Sequence, residues 1–139
     1  MFVGEYLHTV DNKGRLAVPA RFRARIEGGA VLTRGVESCL YVFPLDTWER
    51  KGRELAEAAL DPRQRRLIER RFFGMGFEVE LDAQGRIVVP ARFRQYAGLE
   101  GETVVLGVRD RIEIWSPARW DEYIAAIRDE DLADLPLPF

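Results

Sequence analysis

Apolar and polar positions along the chain follow two periods, and the order of those periods occurs twice. Phe77-Glu78-Val79-Glu80-Leu81 is apolar at every second position, the spacing of a half-buried strand. Tyr6-Leu7-His8-Thr9-Val10 has the same strand composition. Each run ends on Asp, and Gly follows three residues later, in Asp11-Asn12-Lys13-Gly14 and Asp82-Ala83-Gln84-Gly85. Both quartets fit a type I turn in which Asp accepts backbone N–H bonds and Gly takes the left-handed position. Arg15 and Arg86 then open the returning strands Leu16-Ala17-Val18 and Ile87-Val88-Val89. Pro19 and Pro90 fit the first position of a helix, where a missing N–H costs nothing. Short helices over Ala20–Ile26 and Ala91–Ala97 stop at Gly28-Gly29 and Gly98. A second strand pair follows in each case, with turns near Arg34-Gly35 and Arg109-Asp110.

Elsewhere the period is helical. Trp48, Leu55, Ala56, Ala59 and Leu60 share one helical face, and Asp61-Pro62 reads as the start of a second helix through the basic run Arg63–Arg71. Ser116-Pro117 starts a third, with Trp120, Tyr123, Ile124 and Ile127 on one face. The acidic, Pro-rich stretch from Asp129 to Phe139 is expected to fray.

The repeated order of elements is a repeated sequence. Residues 11–23 read DNKGRLAVPARFR and residues 82–94 read DAQGRIVVPARFR, identical at nine of thirteen positions at an offset of 71. Val31-Leu32-Thr33 then matches Val104-Val105-Leu106, Leu40–Pro44 matches Ile112–Ser116, and Trp48 matches Trp120. A unit of about 45 residues buries too little surface to stand alone. Two copies therefore predict an internal pseudo-twofold in which each completes the other's core. The expected fold is α+β with a mostly β core. Its parts are a first repeat over 5–47, a helical linker over 48–75, a second repeat over 76–119, and a C-terminal helix with an acidic tail over 120–139.

Composition narrows the chemistry. The 139 residues carry one Cys and one His, so no intrachain disulfide and no zinc finger can be built. Cys39 lies in an apolar run and reads as a small core residue, and His8 as a strand residue. Ser occurs only at 38 and 116, neither in a nucleophile-elbow context. No catalytic residue, metal site, cofactor or small-molecule substrate is expected, and the chain is not expected to be an enzyme. No run reaches the length of a membrane span, and the N-terminus lacks a signal core, which predicts a cytoplasmic protein.

The net charge of −2 on its face argues against a nucleic-acid partner. Its distribution does not. Residues 1–120 carry +3 and residues 121–139 carry −5. Of the 21 basic residues 19 are Arg, the side chain that pairs bidentately with phosphate and guanine. Residues 11–25 sum to +4 and residues 82–94 to +2, so the charge gathers around the two turns. A hairpin tipped by Arg fits the major groove, which admits a two-stranded ribbon. Arg15 and Arg86 are the candidates for base contact, and Lys13, Arg21 and Arg92 for phosphates. Gln84 stands where the first copy has Lys13. Asp11 and Asp82 read as turn-capping groups that can also orient the two arginines. Arg23 and Arg94 suit ion pairs or solvation as well as DNA. The Arg63–Arg71 run is a solvated face, a subunit contact or a second DNA path. Phe22, Phe93, Trp48 and Trp120 read as core.

The string Asp-x-x-Gly-Arg-φ-x-Val-Pro, present at 11–19 and 82–90, resembles the SpoVT-AbrB family of swapped-hairpin DNA-binding domains. Two copies at this spacing, in a chain opening Met1-Phe2-x-Gly4-Glu5-Tyr6, resemble the MraZ family of bacterial transcriptional regulators within it. The resemblance runs from Met1 to about Ile127. It implies a small β-barrel of interleaved hairpins formed within one chain. It also implies a ring-like homo-oligomer in the octamer or dodecamer range, bound to double-stranded promoter DNA in the nucleoid. The expected sites are short direct repeats upstream of the division and cell-wall gene cluster, where the family represses its own promoter. The family motif falls on Asp11, Gly14 and Arg15, and again on Asp82, Gly85 and Arg86, with Lys13 and Gln84 between them. An antitoxin-like module of the same fold, with secondary DNA binding, is the alternative. It would normally carry a long partner-binding tail, and the segment after Ile127 is short.

Overall fold

The computed structural model describes residues 1–139, and its strand registers make each repeat depend on the other. β1 (Phe2–Val10) pairs along its whole length with β7 (Gly101–Arg109), from Phe2↔Arg109 to Val10↔Gly101. β2 (Arg15–Ala17) meets β1 only at Val10↔Leu16, and pairs instead with β6 (Arg86–Val88) through Leu16↔Ile87. β3 (Ala30–Arg34) pairs with β4 (Leu40–Pro44) and with β5 (Phe77–Val79). β4 pairs with β8 (Arg111–Trp115), which returns to β7. The order β5-β3-β4-β8-β7-β1-β2-β6 is an antiparallel barrel closed everywhere except between β5 and β6. The pseudo-twofold passes between Leu16 and Ile87 at one pole and between Tyr41 and Glu113 at the other.

Alternation along the strands fills the barrel. Leu16, Leu32, Leu40, Val42, Ile87, Val105, Ile112 and Ile114 point inward and are buried. Phe22 and Phe93, one on each short helix, are buried in the same core. Phe22 meets Phe2 and Tyr6 edge-on at 5.3 and 5.4 Å, and Phe93 meets Phe77 at 6.4 Å. Burying one such side chain stabilises the fold by about 1.5–3 kcal/mol.

The helices lie outside this core. α1 (Ala20–Arg23) continues as a 3₁₀ turn over Ala24–Ile26. α2 (Leu45–Glu57) packs on the outer face of β4. α3 (Pro62–Ile68) starts in a capping box in which Asp61 accepts from the Gln64 amide and Gln64 accepts from the Asp61 amide. α4 (Ala91–Ala97), α5 (Pro117–Ala125) and α6 (Asp129–Ala133) complete the set.

Several details depart from the sequence pattern. Pro19 and Pro90 sit one residue earlier, as extended N-caps, because each still belongs to the chain leaving its strand. α2 ends at Glu57, so Ala59 and Leu60 fall outside it. The basic helix changes at Glu69–Gly74 into a wider π turn, which carries Phe72 and Phe73 back over β3 and α2. There Thr33 Oγ1 donates to the Phe72 carbonyl at 2.9 Å, and Phe73 stacks on Trp48 at 4.3 Å. Trp48 and Trp120 are matched, on Phe43 and Trp115 respectively, but half-buried. The acidic tail holds one short helix, α6, where free fraying was expected.

Candidate nucleic-acid interface

Each predicted turn is held by its own Asp. In the first, Asp11 Oδ1 accepts from the amides of Lys13 and Arg15, both at 2.9 Å. Asp11 Oδ2 accepts from Arg15 Nε at 2.7 Å. In the second, Asp82 Oδ1 accepts from the amides of Gln84 and Arg86 at 2.9 Å, and Oδ2 from Arg86 Nε at 2.8 Å. The Arg15 amide holds the Asp11 carboxyl below the ordinary carboxylate range, and the Arg86 amide does the same for Asp82. One carboxylate thus closes the turn and fixes the side chain of the first strand residue. Each guanidinium is gripped by Nε; the terminal nitrogens of Arg15 make no further bond to the turn, while Arg86 Nη2 also donates to Gln84 within its own turn.

The arginines share a face. Arg15 and Ala17 alternate with buried Leu16, and Arg86 and Val88 alternate with buried Ile87. Register sets Arg15 opposite Val88 and Arg86 opposite Ala17, so all four look outward from the β2–β6 ribbon. Arg15 and Arg86 are diagonal neighbours, a relation that puts Cα atoms about 7–8 Å apart.

Residues from the opposite repeat clamp each turn. Gly14 and Gly85 adopt φ of +82° and +74°, where a side chain is strained. Their carbonyls accept from the amides of Val89 and Val18, at 2.7 and 2.9 Å. A Cβ on Gly14 would run into the Arg94 guanidinium and the Val89 carbonyl. The atoms nearest to a Cβ on Gly85 belong to the Arg23 side chain. Arg23 Nε donates to the Val18 carbonyl at 2.8 Å, and Arg94 Nη1 donates to the Val89 carbonyl. Arg23 and Arg94 are therefore struts that hold the other repeat's turn. The sequence showed them as repeated cations but not what they touch, since the glycine each one meets lies in the other copy.

The remaining candidates divide between the two copies. Lys13 and Gln84 are both exposed, but Gln84 Oε1 accepts from Arg86 Nη2 at 3.1 Å. The terminal nitrogens of Arg15 make no hydrogen bond within the chain. Arg21 is exposed. Arg92, its equivalent, is exposed and lies over the Phe93 ring at 4.8 Å.

The opposite pole is built differently. Glu113, buried, accepts from Trp115 Nε1 and Arg111 Nε, each at 2.9 Å. Buried Asp110 takes Lys51 at 3.1 Å, and Arg111 lies over Tyr41 at 4.7 Å. These charges are satisfied internally. Burial pushes the Cys39 thiol up to about 12, which suits a packing role. No group of three or more His, Cys, Asp or Glu side chains is placed to hold a metal ion. No helix is long and apolar enough to cross a membrane.

The chain is similar to known proteins over nearly all of its length. A family model described as "MraZ protein, putative antitoxin-like" matches residues 1–71 and again residues 72–136. A Moorella thermoacetica protein named "Transcriptional regulator MraZ" is 45% identical over 130 residues, 94% of this chain and 91% of that one. A protein of the same name from Desulfitobacterium hafniense is 46% identical over 129 residues, 93% of this chain and 90% of its own. Another, from Thermomicrobium roseum, is 44% identical over 120 residues, 86% and 84% of the two chains.

Proposed function

The chain belongs to the MraZ family, and we propose on that premise that it is a sequence-specific DNA-binding transcriptional regulator. One observation carries the reading: two arginines, each pinned at Nε by its turn's Asp, face outward together from a ribbon two strands wide. A ribbon of that width enters the major groove, and a guanidinium fixed in this way meets the O6 and N7 of guanine without further ordering. Arg15 and Arg86 read bases. Lys13, Arg21 and Arg92 take phosphates, and Gln84 acts beside Arg86. Asp11, Gly14, Asp82 and Gly85 set the geometry.

In this reading residues 5–47 and 76–119 are the paired reading units, 48–75 the connector, and 120–139 the C-terminal helix and tail. The protein acts in the cytoplasm, on the nucleoid. It represses its own promoter, upstream of the division and cell-wall gene cluster. Two arginines give each copy modest affinity, and a ring-like homo-oligomer on direct repeats multiplies it through effective concentration.

The test is binding to the gene's own upstream DNA over a salt series, with single and tandem boxes. Each of Arg15→Ala and Arg86→Ala is expected to cost about 1–3 kcal/mol and to relax sequence preference. A double variant that binds as tightly as the parent, with the same salt slope, would refute the assignment. It would favour the antitoxin-like reading, in which a protein is the main partner. Equal affinity for one box and for tandem boxes would remove the avidity argument.

A further inference from the structure

Three partly buried arginines meet around one tyrosine, outside the reading ribbon. Tyr96 lies in the last turn of α4, and its hydroxyl donates to the Gly35 carbonyl at 2.8 Å. Arg71, in the π turn, donates from Nη2 to the Tyr96 hydroxyl at 3.1 Å. It also reaches the carbonyls of Arg34 and Gly35, at 3.3 and 3.4 Å. The guanidinium carbons of Arg34 and Arg71 stand 5.1 and 5.4 Å from the centre of the Tyr96 ring. Arg119, at the start of α5, donates to the carbonyls of Tyr96 and Ser38 at 2.9 and 3.2 Å. It ties the end of α4 to the loop between β3 and β4. None of the three arginines forms an ion pair within the chain.

This cluster is electrically unfinished. Arg15, Arg86 and Arg111, also partly buried, each meet a carboxylate at 2.7–2.8 Å. Arg23 and Arg94 donate to backbone carbonyls. Arg34 does neither: its Nε is shut off from solvent and donates to no acceptor in the chain. A buried donor without an acceptor is costly, and more so on a cation. Contact with an aromatic face leaves the N–H donors of a guanidinium unspent. The duplication does not call for the cluster either. At the offset of 71 the counterpart of Tyr96 is Arg25, which lies over Phe2 at 5.6 Å.

We propose that Arg34 and Arg71, framed by Tyr96, bind the terminal phosphate of a small molecule, a phosphomonoester. Charge selects that class. Two cations with no carboxylate beside them match a dianion, and a phosphomonoester carries about −1.5 to −2 at neutral pH. A carboxylate or a phosphodiester carries a single charge and leaves one cation uncompensated. Shape agrees, because the forked donors of arginine suit a group with three acceptor oxygens. Arg119 adds charge and holds the frame. α4 also carries Arg94, the strut of the first turn, so ligand and reading geometry share a helix. The site includes none of the candidate DNA contacts, so its assignment is tested apart from the proposed function.

The probe is inorganic phosphate at about pH 8, where it is mainly dianionic, with acetate at matched ionic strength as the comparison. Calorimetry is expected to show saturable binding of phosphate within tens of millimolar and no saturation by acetate. In a magnetic-resonance spectrum of the arginine Nε–H groups, the Arg34 signal is expected to move with the same midpoint. Arg34→Gln is expected to weaken binding at least about tenfold. Arg34→Lys keeps the charge, loses the fork and is expected to weaken it less. The far-ultraviolet spectrum and melting temperature check that each variant keeps the fold. An Arg15→Gln, Arg86→Gln double variant is expected to bind phosphate like the parent. No saturation by phosphate, an equal response to acetate, or an Arg34 signal that stays in place would each overturn the inference. So would a folded Arg34→Gln variant with the parent's affinity, or loss of phosphate binding in the ribbon double variant. An Arg34→Gln variant whose DNA salt slope falls by about 0.9, while phosphate fails to saturate the parent, would assign Arg34 to the DNA backbone instead.

Discussion

The two turns are alike in backbone and unlike in what they present. Both close on an Asp that grips the following Arg at 2.7–2.8 Å. Beside Arg15 stands Lys13, which adds charge and leaves the guanidinium open. Beside Arg86 stands Gln84, whose carbonyl occupies one terminal nitrogen. The strands that carry them differ as well. β1 pairs over nine positions, while its equivalent β5 pairs over three. The duplication has kept the parts that shape a turn and let charge and strand length diverge. The first turn is the more cationic and the more firmly framed, and the second is locked by its neighbour.

The hardest test of this difference is at the turn glycines. Gly14→Val places a side chain against a backbone carbonyl, which cannot move aside, as well as against Arg94. Gly85→Val meets the flexible Arg23 side chain first. Both carry the left-handed strain of about 1–3 kcal/mol. Denaturant midpoints are expected to fall for both, and further for Gly14→Val, by at least about 1 kcal/mol from the added overlap. Equal losses would mean that the two frames are equivalent after all.

A swap of the side chains between Asp and Gly is gentler. Lys13→Gln with Gln84→Lys keeps the total charge and moves it between turns. If both turns lie equally on phosphates, the salt slope is unchanged. If the first turn carries the phosphate contact, the slope falls by about 0.9, or about three- to fourfold in affinity over a fourfold change in salt. The second outcome is expected.

The smallest effect is on pH. Asp11 and Asp82 both titrate below their ordinary range in the folded chain. The charged form is therefore favoured by folding. That stability is present above the unfolded value, about pH 4, and is lost as pH falls through the folded one. Melting temperature against pH is expected to drop below about pH 4 and to drop less in an Asp11→Asn, Asp82→Asn double variant. Single variants that flatten the curve unequally would show which turn contributes more to the fold.

Much of this was legible in the chain. Nine matching positions located both turns, their Asp, Gly and Arg, and the pseudo-twofold. Position after each turn marked Arg15 and Arg86 as candidates, and the structure adds that Leu16 and Ile87 between them point inward and send them outward. The struts Arg23 and Arg94 were not legible, because the turns they meet lie in the other copy and only the β2–β6 register brings them near. The Gln84–Arg86 bond was missed for a different reason: on the sequence Gln84 reads as a lost cation, and only the direction of the Arg86 fork makes it a partner. The π turn at Glu69–Gly74 interrupts a run that by composition continues as a helix. It places Phe73 in a stack on Trp48, a contact that lies outside the run's own sequence pattern.

The pairing of β1 with β7 has a consequence for how the protein is made. Phe2 finds its partner at Arg109, so the first strand to leave the ribosome must wait for nearly the last. Contacts of such sequence separation form late and slow folding, since a long loop must close before they contribute. Until then the nascent chain carries a nine-residue strand whose β7 edge is open along its length, a template for any neighbouring chain at the same stage. The first repeat cannot finish folding while the second is still being synthesised, and the cell receives the whole barrel at once, after the last strand is released.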